Sequence, residues 1–251
     1  MRKRIRSISL SWPHCVLMRS RLPVLRRKQE TGRRNYIFKI QKEGVALFKI
    51  TEDILTFIKR YPITTLMVGI CTVLMIMITF MGGYNRKTIL QLGAYDRQLV
   101  DEGQVWRLLT CAFGHMSYFH FFLNMPFILF LSRPLEQILG SKKFFWSYIL
   151  MSVFATLMVH LFSDYPIPLA GSSGVGYGLL GMYIYLFFRH GNQFSSYDKR
   201  FIMMFTLLGF VVTFLIPEIS VTGHIGGFVG GILLSPFLFN KTKDLNDRMS
   251  G

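Results

Sequence analysis

Charged residues and cysteine are both scarce in this chain, and each shortage excludes a class of protein. Charged side chains make up 17% of the 251 residues, hydrophobic ones make up 51%, and the mean hydropathy is +0.37. A soluble domain has too little interior to bury so much apolar side chain. The three cysteines, Cys15, Cys71 and Cys111, are an odd number and indicate no disulfide framework, so we interpret them as packing residues.

Acidic residues are absent from the first 29 positions, and the amino-terminal part of the chain is strongly basic. Residues 1–61 hold sixteen Lys and Arg against four acidic residues, a net charge of +12 in a chain of +16. Such a tail can bind nucleic acid, but beside so apolar a remainder we interpret it as a cytosolic flank that contacts anionic lipid. We expect it to be dispensable for chemistry, so that a chain starting near Thr51 stays active.

The first 29 residues leave a second interpretation open. A basic, Ser-containing stretch without acids is also typical of a mitochondrial transit peptide. A cleavable signal peptide is not expected, because the first long apolar block comes only after Pro62.

Long apolar blocks after Pro62 predict helices that cross a membrane, since the hydrophobic residues come in continuous runs rather than at an amphipathic period. We predict six spans, at about 62–80, 117–135, 144–163, 172–188, 201–216 and 222–238. The predicted fold is therefore all-α and polytopic, with six transmembrane helices. Its parts are a basic segment 1–61, a six-span domain 62–238 and a tail 239–251.

Two segments outside the spans are predicted to have structure of their own. The connection 82–116 is too long for a simple turn. Residues 44–60 place apolar side chains at helical spacing among charges, which predicts an amphipathic helix on the bilayer surface. These side chains are Val45, Phe48, Leu55 and Ile58.

Lys and Arg in the short loops predict the orientation of the chain. The loops 133–143 and 189–200 carry these residues, as does the tail, whereas the loops 164–171 and 217–221 carry none. By the positive-inside rule both termini are then cytosolic. The second, fourth and sixth spans run from outside to inside.

The fourth span opens on Gly171-Ser172-Ser173-Gly174. A serine at this position can simply cap the helix, or it can act chemically, since the free N–H groups of a helix start can stabilise an oxyanion. The run lacks the Lys of a phosphate-binding loop, and Val175 occupies the last position of a G-x-S-x-G elbow. By itself it indicates no single function.

The sixth span opens on a glycine-rich stretch around His224. Glycines recur there every four residues from 223 to 231, a spacing that lets two helices approach closely. Close approach to the fourth span would bring Ser173 within reach of His224. The fourth span has its own stripe of small residues at Gly174, Gly178 and Gly181.

His120 and Asn124 lie four residues apart in the second span and therefore share one helix face. The pair can hold helices together, or it can donate hydrogen bonds to developing negative charge. Both residues lie near the start of an outside-to-inside span, as do Ser173 and His224. Four costly polar side chains thus converge at the outer end of the predicted bundle, which favours a catalytic function.

Together these motifs resemble those of the rhomboid family of intramembrane serine proteases. The resemblance covers about residues 62–238. The family's serine motif is matched by Ser173, Tyr177 and Gly181, and its histidine motif by His224, Gly227 and Gly231. Further matches are His120 with Asn124 in the second span, Trp106 with Arg107 in the first loop, and Glu136 at the end of the second span.

The resemblance implies a mechanism and a role for each residue. Ser173 would be the nucleophile and His224 its general base, a dyad without an acidic third member. The Ser173 N–H, His120 and Asn124 would stabilise the oxyanion. Tyr177 would stack on His224, although an ordinary core tyrosine fits that position equally well. Close packing around these residues would be supported by Gly171, Gly174, Gly227 and Gly231.

The resemblance also implies partners. Single-span membrane proteins would be the substrates and the lipid bilayer the surroundings, with no metal, no cofactor and no nucleic acid. The expected location is a cell membrane of bacterial type, crossed several times, and the alternative is the mitochondrial inner membrane.

Two other classes of protein are weighed against this one. A catalytically inactive relative would bind membrane helices without cutting them, and it would usually lack Ser173 or His224, both of which are present. A small transporter should have polar residues near mid-membrane and detectable internal repeats. We find no such repeat.

Overall fold

The computed structural model describes residues 47–48, 52–163, 167–191, 194–216 and 219–239. Within these ranges the chain forms ten α-helices, and its only β-type pairing is an isolated bridge between Tyr95 and Leu169. Four helices are short: α1 (Ile54–Arg60), α3 (Arg86–Gln91), α4 (Arg97–Asp101) and α5 (Arg107–Thr110). Six are long: α2 (Pro62–Phe80), α6 (Tyr118–Leu139), α7 (Ser141–Phe162), α8 (Ser173–His190), α9 (Ser196–Leu215) and α10 (Val221–Phe239).

The six long helices coincide with the six predicted spans to within a few residues. Three of them, α2, α7 and α10, are long and apolar enough to cross a membrane by length and composition. The other three are less apolar; α6, for example, carries Asn124, Arg133 and Glu136 on its buried side. The number of spans therefore stays a prediction, whereas the all-helical bundle is a direct observation for the described residues.

Helix α8 lies at the centre of the bundle and packs most extensively on α10. Glycine makes this close approach possible, because a Cβ atom at Gly227 would overlap the carbonyl oxygen of Gly174, and one at Gly231 would overlap that of Gly178. The backbones of the two helices are therefore in contact over two successive turns. This contact holds the first turns of α8 and α10 side by side, at what we call the site end of the bundle.

The connection between α2 and α6 has the internal structure that its length predicts. It contains α3, α4 and α5, and the buried guanidinium of Arg107 joins α5 to α3. That guanidinium donates to the carbonyl oxygens of Leu90 and Ala94 at 2.8 and 2.7 Å. Its neighbour Trp106 is exposed.

At the opposite end of the bundle, Glu136 joins α6 to the start of α2. Its buried carboxylate accepts the N–H groups of Ile63 and Thr64 at 3.0 and 2.8 Å, and the Thr64 hydroxyl at 2.7 Å. The first N–H groups of a helix have no partner within it. Glu136 therefore caps α2 from a neighbouring helix.

The prediction of an interfacial helix over 44–60 is wrong at Phe48. The helix begins only at Ile54, and Leu47 and Phe48 lie in a turn that is buried in the bundle. The Phe48 ring stacks on Phe201 of α9 at a centroid distance of 4.7 Å. Leu55 and Ile58 are exposed on α1. The described residues do not include 1–46, among them Val45, or the tail after Phe239.

Polar contacts fix this turn as firmly as the apolar ones. The Leu47 N–H donates to the Asp198 carboxylate at 2.9 Å, and its carbonyl oxygen accepts from Arg133. Arg133 also pairs with Glu52 at 3.0 Å. The turn thereby joins α6 to the first turn of α9.

Candidate active site

Ser173 and His224 meet at the site end of the bundle. Ser173 is the first residue of α8, and His224 lies in the first turn of α10. The Ser173 Oγ is 2.8 Å from Nε2 of His224, within hydrogen-bond distance. His224 is buried and Ser173 is partly exposed. The glycine contacts between α8 and α10 thus bring together two residues 51 positions apart.

Tyr177 lies one helical turn after Ser173 and stacks on the His224 ring. The two ring centroids are 4.1 Å apart and the planes differ by 15°. Of the two interpretations that the sequence leaves open for this tyrosine, the geometry agrees with stacking. The Tyr177 ring limits the rotation of the imidazole and covers one of its faces.

Thr213 of α9 completes the surroundings of His224, and it belongs to none of the sequence motifs described above. Its buried Oγ1 is 2.8 Å from Nδ1 of His224 and 2.6 Å from the Tyr177 hydroxyl, and it donates to the carbonyl oxygen of Gly209 at 2.8 Å. A signal was present, since Thr213 is a lone polar residue near the end of the fifth predicted span. Threonine often bonds to its own helix, however, so such a residue attracts little notice.

His120 and Asn124 lie on α6 and face the first turn of α8. A Cβ atom at Gly171 would be 2.6 Å from Cε1 of His120, so only glycine leaves room for this ring beside Ser173. Nδ1 of His120 accepts the Met116 N–H over a long 3.5 Å, which leaves Nε2 to carry the ring proton. Asn124 donates one amide hydrogen to the His120 carbonyl oxygen at 2.9 Å, and its second amide hydrogen remains for another acceptor.

His115 is a second residue near the dyad that belongs to none of the sequence motifs. It lies in the connection before α6, fully buried, with Nε2 3.2 Å from the hydroxyl of Ser172. Burial and, to a smaller extent, the neighbouring His120 lower the pKa of His115 to about 3, so the ring is neutral at physiological pH. Its contact gives Ser172 a structural partner, distinct from the partner of Ser173.

A cavity of about 660 Å³ opens at these residues. Its polar wall carries His120, Asn124, Ser173 and His224. Apolar side chains of α6 and α9 form a large part of the remaining wall, so the cavity extends between these two helices. Helix α9 packs only sparsely on α8 and α10.

A bundle of long apolar helices, with a cavity at one end whose wall carries a few polar side chains, defines a class, the helical membrane proteins that cross the bilayer several times. Comparison with known proteins narrows this class. Residues 102–241, more than half of the chain, match the Rhomboid domain. The chain belongs to the rhomboid family.

Individual relatives agree with this assignment. The chain is similar to rhomboid protease GluP of Bacillus subtilis, 28% identical over 157 residues, which is 62% of this chain and 31% of that protein. It is similar to Rhomboid-like protease 3 of Toxoplasma gondii, 30% identical over 164 residues, 64% of this chain and 62% of the relative. Inactive RHOMBOID-like protein 8 of Arabidopsis thaliana is 31% identical over 155 residues, 59% of this chain and 42% of its own.

These matches span less than two thirds of each of the three relatives. Relatives named as proteases support an intramembrane protease, and the relative named inactive shows that family membership does not guarantee catalysis.

Proposed function

We propose that this chain is an intramembrane serine endopeptidase that cleaves other membrane proteins through a dyad of Ser173 and His224. The observation that carries the proposal is the 2.8 Å contact between the Ser173 Oγ and Nε2 of His224 at the wall of a cavity. A nucleophile within hydrogen-bond distance of a base is the geometry that serine acylation needs.

In the first step, Ser173 attacks the substrate's carbonyl carbon while Nε2 of His224 takes the hydroxyl proton. The same proton is then given to the leaving amine, and an acyl-enzyme forms. A water molecule, deprotonated by His224, hydrolyses this ester and restores Ser173. Because the cavity is partly open, water can reach the acyl-enzyme.

The oxyanion of each tetrahedral intermediate would be stabilised from two sides. The Ser173 backbone N–H belongs to the first turn of α8, whose N–H groups have no partner within the helix. Nε2–H of His120 and the second amide hydrogen of Asn124 face it from α6. Donors held in place before the reaction cost no reorganisation when charge develops.

The substrates we propose are single-span membrane proteins. Their helix would reach the dyad through the cavity between α6 and α9, whose apolar wall suits a lipid-embedded segment. Following the loop charges, we place the site end on the outer side of a cell membrane and both termini in the cytosol. The mitochondrial inner membrane is the alternative location.

The test uses the full-length protein in proteoliposomes with a single-span reporter whose helix is rich in small residues. We expect Ser173→Ala and His224→Ala each to abolish both cleavage of the reporter and labelling of the protein by a fluorophosphonate. The matched control is Ser172→Ala, which changes the adjacent serine and removes only the contact to His115. It should keep most of the activity.

Two outcomes would contradict the proposal. A Ser173→Ala protein that cleaves at the wild-type rate would show that the nucleophile is another residue. A folded wild-type protein that neither cleaves the reporter nor reacts with the probe would instead place this chain with the inactive members of the family.

A further inference from the structure

We propose that Thr213 is a positioning residue that fixes the tautomer of His224, a role that rests on the proposed function. The Thr213 hydroxyl lies at the junction of three polar groups: the Gly209 carbonyl oxygen, the Tyr177 hydroxyl and Nδ1 of His224. All three are within 2.8 Å of Oγ1.

The number of protons at this junction decides which group donates. A hydroxyl donates one hydrogen and accepts two, whereas a carbonyl oxygen only accepts. The bond to Gly209 therefore uses the single Thr213 proton. Both lone pairs then accept, one from the Tyr177 hydroxyl and one from Nδ1–H of His224.

This assignment leaves His224 in the one neutral tautomer that can accept the proton of Ser173. With the ring proton on Nδ1, Nε2 carries a lone pair directed at the Ser173 hydroxyl, 2.8 Å away. The other tautomer would point an N–H at Ser173 and could not take its proton. Thr213 also accepts from Nδ1–H once His224 is protonated, so it holds the ring in place through the whole cycle.

The packing of the neighbouring helices supports the contact of Thr213 with Tyr177 and His224. Thr213 is fully buried on α9, although α9 itself packs only sparsely on its neighbours. Gly209, one turn earlier, leaves room for the Tyr177 hydroxyl, because a Cβ atom there would be 2.8 Å from that oxygen. Thr213 thus takes the place that an acidic residue occupies in a three-membered triad, with a neutral hydroxyl instead of a carboxylate.

The test compares Thr213→Val, which keeps the shape and removes the hydroxyl, with Thr213→Ser, which restores it. We expect the valine variant to lower kcat about 10-fold with little change in KM, since it removes one hydrogen bond to the base. The serine variant should recover most of the rate. Thr206→Val is the matched control, because Thr206 is on the same helix and makes the same bond to a carbonyl four residues earlier, at 2.8 Å.

A spectroscopic measurement tests the tautomer without relying on activity. The ¹⁵N shifts of labelled histidine side chains report which ring nitrogen carries the proton, and the His224→Ala spectrum identifies the His224 signals among those of six histidines. We expect Nδ1 to be protonated in the wild type and the two tautomers to mix in Thr213→Val. A valine variant with wild-type kcat and an unchanged spectrum would overturn the role.

Two further results separate this role from others. If the valine and serine variants are folded, lower kcat equally and leave the His224 ¹⁵N shifts unchanged, Thr213 has a packing role and the positioning role is overturned. A wild type with no cleavage and no probe labelling would refute the protease proposal, whereas the ¹⁵N shifts would still confirm or refute the contact between Thr213 and His224.

Discussion

At the scale of single residues, His120 and Asn124 hold donors ready beside Ser173. The Asn124 amide donates to the His120 carbonyl oxygen, and the His120 ring accepts the Met116 N–H over 3.5 Å and packs against Gly171. Both side chains are therefore oriented before any substrate arrives. This is the arrangement expected of donors whose interaction strengthens only as negative charge develops.

We accordingly expect His120→Ala and Asn124→Ala to lower kcat by about 10²–10³ while KM changes little. Steady-state kinetics with the membrane reporter would measure both constants. Phe122→Ala is the control, since Phe122 is an exposed neighbour on the same helix. A rise in KM with an unaltered kcat would assign the pair to substrate binding or packing instead.

At the scale of secondary-structure elements, the contact between α8 and α10 decides whether the dyad exists. The two backbones touch at glycines, and any side chain there must push the helices apart. A displacement of even 1 Å would lengthen the 2.8 Å contact between Ser173 and His224 beyond an effective hydrogen bond.

A single methyl group is enough to test this dependence. We expect Gly227→Ala to lower the thermal midpoint and to remove most of the activity, because its Cβ would overlap the Gly174 carbonyl oxygen. Gly69→Ala is the matched control, as Gly69 is also inside a long helix but has nothing within 4 Å of an added Cβ. If both alanine variants melt and cleave alike, close backbone contact is not what holds the site together.

At the scale of the whole molecule, the described turn of Leu47 and Phe48 is part of the bundle. Phe48 is buried against Phe201, and Leu47 is bonded to Asp198 and Arg133. Burial raises the pKa of the Asp198 carboxyl, while its bonds to Ser195 and Leu47 oppose that shift. These contacts all lie at the end of the bundle opposite to the dyad.

The sequence predicts that a chain starting near Thr51 stays active, and the buried turn adds the prediction that this chain is less stable. We expect that chain to have a lower thermal midpoint than one starting at Gly44, because it lacks the buried Leu47 and Phe48. In the full-length protein, Phe48→Ala should cost about 3 kcal/mol of stability. Exposed Phe188 provides the control, as Phe188→Ala removes the same ring from the surface. Equal melting of the two shortened chains would show that the turn adds no stability.

The sequence by itself determined much of this protein. Hydropathy located the six long helices, since apolar runs of that length are a local property of the chain. Span parity and the glycine stripes predicted that Ser173 and His224 would meet, and the 2.8 Å contact agrees. The glycines of α8 and α10 recur at helical spacing, so the sequence alone also predicts that they share one face of each helix.

Only the tertiary structure decided the partners that depend on which helix faces meet. Thr213 is a common residue in an apolar run, and its bond to its own helix would be the same anywhere. What makes it important is a histidine 11 positions away on another helix. Phe48 has the spacing of an interfacial helix, yet a bond between Leu47 and Asp198, 151 residues apart, turns it inward. Long-range pairings of this kind are set by three-dimensional packing, because local spacing contains no information about the distant partner.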